Sequence, residues 1–413
     1  MKDMIQRIKL VKTCAATSTS TRWFCKEIVS CLALLCLIAC TPQSKESSID
    51  QTLAFGVEKV KSSANMITSY DRMPRRIPAG ETEWQTVGLH DWTSGFWPGV
   101  LWYAYEASGD ESLKQAAEKF TEPLAIIAQS TADDHDIGFQ IYCSFGNGYR
   151  LTGNEAYKAV MLQAADTLAT LYNPIVGSIH SWPKKKEFPH NTIIDNMMNL
   201  ELLFWASKNG GSQQLYEIAE QHAETTRKTL VRSDFTTYHV GLFDTLDGHF
   251  IKGITHQGYA DDSQWARGQA WGIYGFAMSH RETGRADFLE TSKKLADVFM
   301  SLLPEDGIPY WDFNDPDISH APKDASAAAI AACGMLELAE LLDDPQEKSK
   351  YKSAAIALID RLSTDEYLSR AQNPAILLHS TGHKPKGKEI DVPIIYADYY
   401  FMEALLRLRK LDK

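Results

Sequence analysis

Residues 99–120, GVLWYAYEASGDESLKQAAEKF, read as two helices joined by a tight turn. Up to Ala107 the segment is apolar and aromatic, with Glu106 its one charge. After Asp110, Lys and Glu gather on one face and apolar residues on the other, at helical spacing. Gly109 supplies the left-handed residue that closes the first helix, and Asp110 caps the second. So short a turn lays the two helices antiparallel.

The same punctuation recurs at Thr152-Gly153-Asn154, Asn209-Gly210-Gly211-Ser212 and Thr283-Gly284-Arg285. Amphipathic stretches cover residues 51–67, 111–129, 155–172, 214–231, 286–303 and 346–362. More apolar stretches begin at Asp91, Asp136, Asp195, Ser263, Asp324 and Asp398. Neither set shows strand-type alternation over any length. Six helices apolar nearly all round, alternating with six amphipathic ones, predict an all-α fold with an inner ring wrapped by an outer ring. The pattern makes residues 51–413 one domain. All inner helices start at one mouth, where long loops rich in His, Trp, Pro and Gly gather.

The first forty residues read as an address. Lys2, Arg7, Lys9, Lys12, Arg22 and Lys26 precede the apolar run IVSCLALLCLIA (28–39), which is too short to span a bilayer as a stable helix. The segment resembles a bacterial lipoprotein signal with Cys40 as the lipidation site, followed by a polar tether at 41–50. The expected location is exported and lipid-anchored, facing the periplasm. Five of the seven cysteines lie in this leader, and Cys143 and Cys333 sit in apolar runs, so two buried thiols are expected. The whole chain carries −11; without residues 1–40 it has 36 basic and 51 acidic residues, a net −15. So acidic a body is a poor partner for nucleic acid, and membrane contact is expected only through the anchor. No Walker loop, dinucleotide-binding glycine fingerprint or HExxH helix is present. Gly146 and Gly148 fall inside a helical stretch, where small residues serve close packing.

Five of the six inner-helix starts carry Asp, a routine N-cap. Asp136 and Asp195 begin the second and third inner helices, which neighbour each other in the ring. Two carboxylates converging on one pocket suit glycoside hydrolysis, in which one stays protonated through burial and a like-charged neighbour. Asp91 and Asp398 pair by the same logic, and pattern alone does not choose.

The segments HDIGF (135–139), IDNMMNL (194–200) and SQWARGQAW (263–271) resemble the unsaturated glucuronyl hydrolases of glycoside hydrolase family 88. DWTSGFWPG (91–99) and YADYYFMEALLR (396–407) extend the likeness over the whole mature chain. The resemblance implies an (α/α)6 barrel and a 4,5-unsaturated uronic acid substrate at the non-reducing end of lyase-generated oligosaccharides. The implied reaction is hydration of a vinyl ether, without metal or organic cofactor. Asp195 matches the family's acid/base and Asp136 its second essential carboxylate. Trp92, Trp265 and Trp271 match ring-stacking positions, Arg267 a substrate contact, and His239 and Gln257 polar contacts, with Gly253 and Thr255 in the same loop. An internal salt bridge to a mouth carboxylate is the competing use of Arg267.

The loop HSTGHKPKGK (379–388) brings Lys384, Lys386 and Lys388 to the mouth. With Ser380 it resembles loops that accept sulfated amino sugars, which points to glycosaminoglycan fragments; a solvated charge run is the plain alternative. Competing readings are an unsaturated rhamnogalacturonyl hydrolase acting on pectin fragments, a sugar 2-epimerase, and a non-catalytic sugar-binding lipoprotein. Epimerases on a similar barrel rely on His pairs inside the ring, whereas here the helix starts offer carboxylates.

Overall fold

The structure, a computed structural model, describes residues 48–186 and 188–412. The leader and Cys40 lie outside them. Six helical hairpins make up the described chain. The inner helices are Phe96–Ser108; Ile137–Ile141 continued by a π turn (Tyr142–Gly146) and Asn147–Thr152; a 3-10 turn Ile194–Met198 followed by Leu200–Lys208; Ala266–Thr283; Ala325–Leu341; and Ile395–Leu411. Each packs on the next, and the sixth packs on the first, so the ring closes. Outer helices Ser48–Met66, Glu111–Thr121, Glu155–Ala169, Gln213–Thr229, Ala286–Leu302 and Pro345–Leu362 lie against it. This is the (α/α)6 barrel.

The turns work as the sequence implies. Gly109 and Gly153 adopt φ of 70° and 68°, and Asp110, Asn154 and Ser212 each accept a backbone N–H from the first turn of the following helix. Inner helices are buried nearly all round: Ala325–Leu341 is buried continuously from Ala325 to Ala339. Outer helices bury one stripe, as with Leu113, Ala117 and Phe120 of Glu111–Thr121. Cys143 and Cys333 are buried and unpaired. Among the described residues no helix is long and apolar enough to cross a membrane.

Three details depart from the sequence reading. The first outer helix opens at Ser48, so residues 48–50 are helix and not tether. The stretch 111–129 is one helix broken by a 3-10 turn, Glu122–Leu124, because Pro123 lacks the N–H that a continuous helix requires. Seven short strands also form among the described residues: β1 Met73–Arg76, β2 Gln85–Val87, β3 Tyr172–Asn173, β4 Ser178–Ile179, β5 His190–Ile193, β6 Val240–Phe243 and β7 Phe250–Ile254. The antiparallel sheet β5-β6-β7 matters most, since β5 runs directly into the turn that carries Asp195.

Candidate active site

The Asp residues at the inner-helix starts do different work. Asp324 is a cap, accepting the Ser326 N–H at 3.1 Å. Asp398 lies in the first turn of its helix, where its two oxygens accept the Ile376 and Leu377 N–H groups at 2.9 and 2.8 Å. Asp91 lies five residues before its helix, and both its oxygens accept from Arg75 Nη1, at 3.0 and 2.7 Å, while the Nε and Nη2 of Arg75 bond Glu389. Asp136 and Asp195 cap nothing with their side chains. The structure thus separates them from the Asp91 and Asp398 pair that pattern left open.

Asp195 Oδ2 is buried with no hydrogen-bond partner. His239 Nε2 faces it at 3.8 Å. Burial raises the Asp195 carboxyl to about 7, against the opposing pull of the Arg267 charge. Asp136 is also raised to about 7, by burial first and by the charges of Asp195 and Asp91, against hydrogen bonds that favour its ionised form. Two carboxyl groups poised near neutrality beside one another can give up and take back a proton at physiological pH.

His239 owes its orientation to the sheet. From the end of the β5-β6 pairing its Nδ1 accepts the backbone N–H groups of His256 and Gln257 at 3.1 and 3.0 Å. That places the proton on Nε2, which faces Asp195 unpartnered. Burial, with His256 and Arg267 beside it, holds the ring neutral. Trp265 lies 4.5 Å from His239 between ring centroids, Trp271 lies 5.3 Å from Phe139, and Trp92 lies 5.2 Å from Tyr396. The Trp265 and Trp271 indole nitrogens and the Tyr396 hydroxyl are buried and unpartnered as well. So many unsatisfied polar atoms around Asp195 mark a place where a polar ligand belongs.

Arg267 is 1% exposed and its terminal nitrogens are engaged inside the protein. They bond Asp324 Oδ2 at 2.7 Å and the Thr381 and Gly382 carbonyls at 2.6 Å each. The internal salt bridge is therefore its use here, and its service to a ligand is to anchor the 380–389 loop. Gln257 Nε2 donates to the same Gly382 carbonyl at 3.1 Å. Thr255 Oγ1 accepts the Gly258 N–H and shapes the turn. Gly253 is needed for space, because a Cβ there would lie 2.3 Å from the Tyr238 ring. Ser380 is buried with a free Oγ; Lys386 reaches His256 Nε2 at 3.2 Å; Lys388 is exposed, and Lys384 pairs with Asp315 at 2.5 Å.

Residues that pattern did not single out also build the pocket. Trp182 stacks near His256 with the Lys185 ammonium 3.3 Å above its ring, and nothing local in the sequence signals it. Asn199 and His135 lie within quoted segments, but their link, Asn199 Nδ2 to His135 Nδ1 at 3.2 Å, appears only in three dimensions. Asp134, His135 and Asp136 bring three donor atoms within 4.8 Å of one another, close enough for a metal. They do not suit one: Asn199 Oδ1 accepts the Phe139 N–H, so its amide nitrogen donates to His135 Nδ1 and the proton sits on Nε2. Below the aromatic floor, the far halves of the inner helices enclose a separate chamber of about 500 Å³. Its charged lining is paired, Arg281 with Glu201 and Glu337, Arg407 with Glu337 and Glu403.

The sequence profile of Glycosyl Hydrolase Family 88 matches residues 61–402. An unsaturated glucuronyl hydrolase of Formosa agariphila is 42% identical over 383 residues, covering 90% of this chain and 94% of that protein. An unsaturated chondroitin disaccharide hydrolase of Streptococcus pyogenes serotype M1 is 36% identical, covering 88% and 92%. The crystal structure of an unsaturated glucuronyl hydrolase specific for heparin superposes with a TM-score of 0.84 at 39% identity, covering 88% of this chain and 98% of that one. With two carboxyls poised near neutrality in an aromatic-lined pocket at the mouth of its barrel, this chain belongs to glycoside hydrolase family 88.

Proposed function

We propose that this glycoside hydrolase removes a 4,5-unsaturated uronic acid from the non-reducing end of lyase-generated oligosaccharides of glycosaminoglycan origin. One observation carries the reading: a buried, unpartnered Asp195 oxygen, with its carboxyl near neutrality, faces the His239 Nε2–H. In the proposed mechanism the Asp195 proton goes to C4 and the C4–C5 π electrons form the new C–H bond. Positive charge then develops at C5 and the ring oxygen, where the pocket's carboxylate charge stabilises it. Water adds through oxygen at C5 and returns its proton to Asp195. The hemiketal opens to a C5 ketone, leaving a hydroxyl on C1, and collapse at C1 expels the neighbouring sugar as an alcohol. Asp136 is the second carboxylate, and Trp92, Trp265 and Trp271 form the walls against which the ring stacks.

A non-catalytic uronate binder gains nothing from two carboxyls beside an anionic ligand, and the comparisons favour glycosaminoglycan over pectin fragments. The experiment is loss of the conjugated uronate's ultraviolet band on a panel of lyase-derived chondroitin, heparin and pectin fragments. Asp195→Asn is expected to lower kcat by at least about 10²-fold with KM little changed. Turnover at the wild-type rate in that variant refutes Asp195 as the acid. We also propose that the protein is exported and held by lipid on Cys40, facing the periplasm. Cys40→Ala is then expected to move it from the membrane to the soluble fraction, and unchanged fractionation refutes the anchor.

A further inference from the structure

The loop that borders the pocket is a hairpin held in a costly shape. Backbone pairing joins Ser380 to Val392 and His383 to Lys388, and at its tip the His383 ring lies 4.9 Å from that of His256. In and beside it His379, Glu389 and Asp391 have φ of 60°, 55° and 53°, a left-handed backbone that a non-glycine residue keeps only where its surroundings enforce it. Two arginines enforce it. Arg267 holds the Thr381 and Gly382 carbonyls. Arg75, on strand β1, has no part in the chemistry above. Its Nε and Nη2 donate to the two oxygens of Glu389 at 2.6 and 3.2 Å, while its Nη1 holds Asp91. Glu389 is 8% exposed, so the fork meets a carboxylate largely out of water. Arg76 Nη1 stands 3.9 Å from that carboxylate, too far for a hydrogen bond.

We propose that Arg75 is a positioning residue for substrate binding: its one guanidinium ties the 380–392 hairpin to Asp91 and so fixes the gap between the hairpin and the Trp92 wall. Trp92 follows Asp91 directly, and its ring lies 6.0 Å from the Arg75 guanidinium carbon and 5.2 Å from the Tyr396 ring. Tyr396 in turn lies 5.3 Å from the Arg267 guanidinium that holds the hairpin. The stacking wall and the hairpin therefore meet through two cations and two rings. Without Arg75, Asp91 keeps its bonds to the Thr93 N–H and hydroxyl, whereas Glu389 is left with only the distant Arg76. The loss falls on the hairpin. A wall that loosens alike for bound substrate and transition state raises KM and leaves kcat in place.

The proposal rests on the substrate reading above, and its test combines kinetics on an unsaturated disaccharide with hydrogen exchange of the substrate-free protein. Glu389→Gln leaves the Arg75–Asp91 pair intact and is expected to raise KM about tenfold with kcat within about twofold of wild type. Arg75→Met is expected to raise KM at least as far, and Arg75→Lys, which keeps the charge without the fork, to lie between it and wild type. The double variant Arg75→Met with Glu389→Gln is expected to be no worse in KM than Arg75→Met alone, because both substitutions break one link. In each variant the Gly382 and His383 amides are expected to exchange faster than in wild type. Melting curves show which variants fold, and Arg75→Lys serves if Arg75→Met does not. A wild-type KM in Glu389→Gln, a loss of kcat at unchanged KM, KM effects that multiply in the double variant, or unchanged exchange overturns the proposal. If the wild-type protein turns over no unsaturated disaccharide, the function fails instead, and the exchange rates still decide whether Arg75 fixes the hairpin.

Discussion

Replacing Arg267 by Met removes a buried charge while keeping most of the side chain's contact with Trp265 and Tyr396, whose ring centroids lie 4.6 and 5.3 Å from the guanidinium. The loss is electrostatic and local. Asp324, 0% exposed, keeps its bonds to Ser326 and the Thr381 N–H but loses its ion-pair partner. The Thr381 carbonyl loses its Arg267 donor, and the Gly382 carbonyl keeps only Gln257. Breaking one side of a buried ion pair costs about 3–5 kcal/mol. At about 2 °C per kcal/mol for a large domain, the melting midpoint of Arg267→Met is expected to fall by roughly 6–10 °C.

The partner substitution separates pairing from packing. Asp324→Asn keeps an acceptor for Ser326 and removes the charge that Arg267→Met strands. The double variant is therefore expected to melt well above Arg267→Met alone, within about 2 kcal/mol of wild type. Differential scanning fluorimetry at neutral pH measures all three. A single-variant loss below about 1 kcal/mol, or a double variant no better than the single, refutes the reasoning. Kinetics add a second discrimination. If Arg267 acts only by anchoring the 380–389 loop, the recovered double variant regains part of its KM. If it grips the substrate carboxylate directly, stability returns and KM does not.

Gly138→Ala is expected to destabilise by about 1–3 kcal/mol and to lower kcat, because its Cβ would lie 2.5 Å from Asn199 Oδ1 and push apart the helices carrying Asp136 and Asp195; wild-type melting and turnover would refute that close approach. Lys386→Ala with Lys388→Ala is expected to raise KM several-fold for sulfated disaccharides alone, since an exposed ammonium contributes about 1 kcal/mol to an anion contact; an equal rise on unsulfated substrates sinks the sulfate reading. Burial holds His190, His222 and His256 down to about 3, below their unfolded value near 6.5, so their contribution to stability is complete above pH 6.5 and falls as pH drops towards 3. Asp136, Asp195 and Asp398, raised to about 7, and Asp134 and Glu201, also raised by burial, drift the opposite way as pH falls from 7, but the depressed histidines, seven with His135, His180, His239 and His383, outnumber these five carboxyls. The melting midpoint is accordingly expected to fall between pH 6.5 and 4, and a rise over that interval would show that the carboxyls dominate.

How far the letters reach depends on where each residue's partners lie. The hairpins were legible because helix period, left-handed glycine and N-cap all act within a few residues: Gly109 closes one helix and Asp110 opens the next. Sheet β5-β6-β7 was not, because β5 and β6 are four residues long and buried on both faces, so no alternation marks them. The acids make the sharpest case. Asp91, Asp136, Asp195, Asp324 and Asp398 look alike beside their helix starts, and the difference between them comes from elsewhere in the chain. Asp398 is satisfied by amides about twenty residues upstream and Asp324 by Arg267, while Arg75 occupies Asp91. Asp195 is set apart by what does not reach it: His239, oriented by backbone from β7's far end, stops 3.8 Å short, and the indoles beside it stay unpaired. A stable core would not leave those donors unmet, and a ligand with its own hydroxyls and carboxylate would meet them. The family resemblance singled out the same two acids from their neighbouring letters, and the structure supplies the physical reason that they differ from the other three.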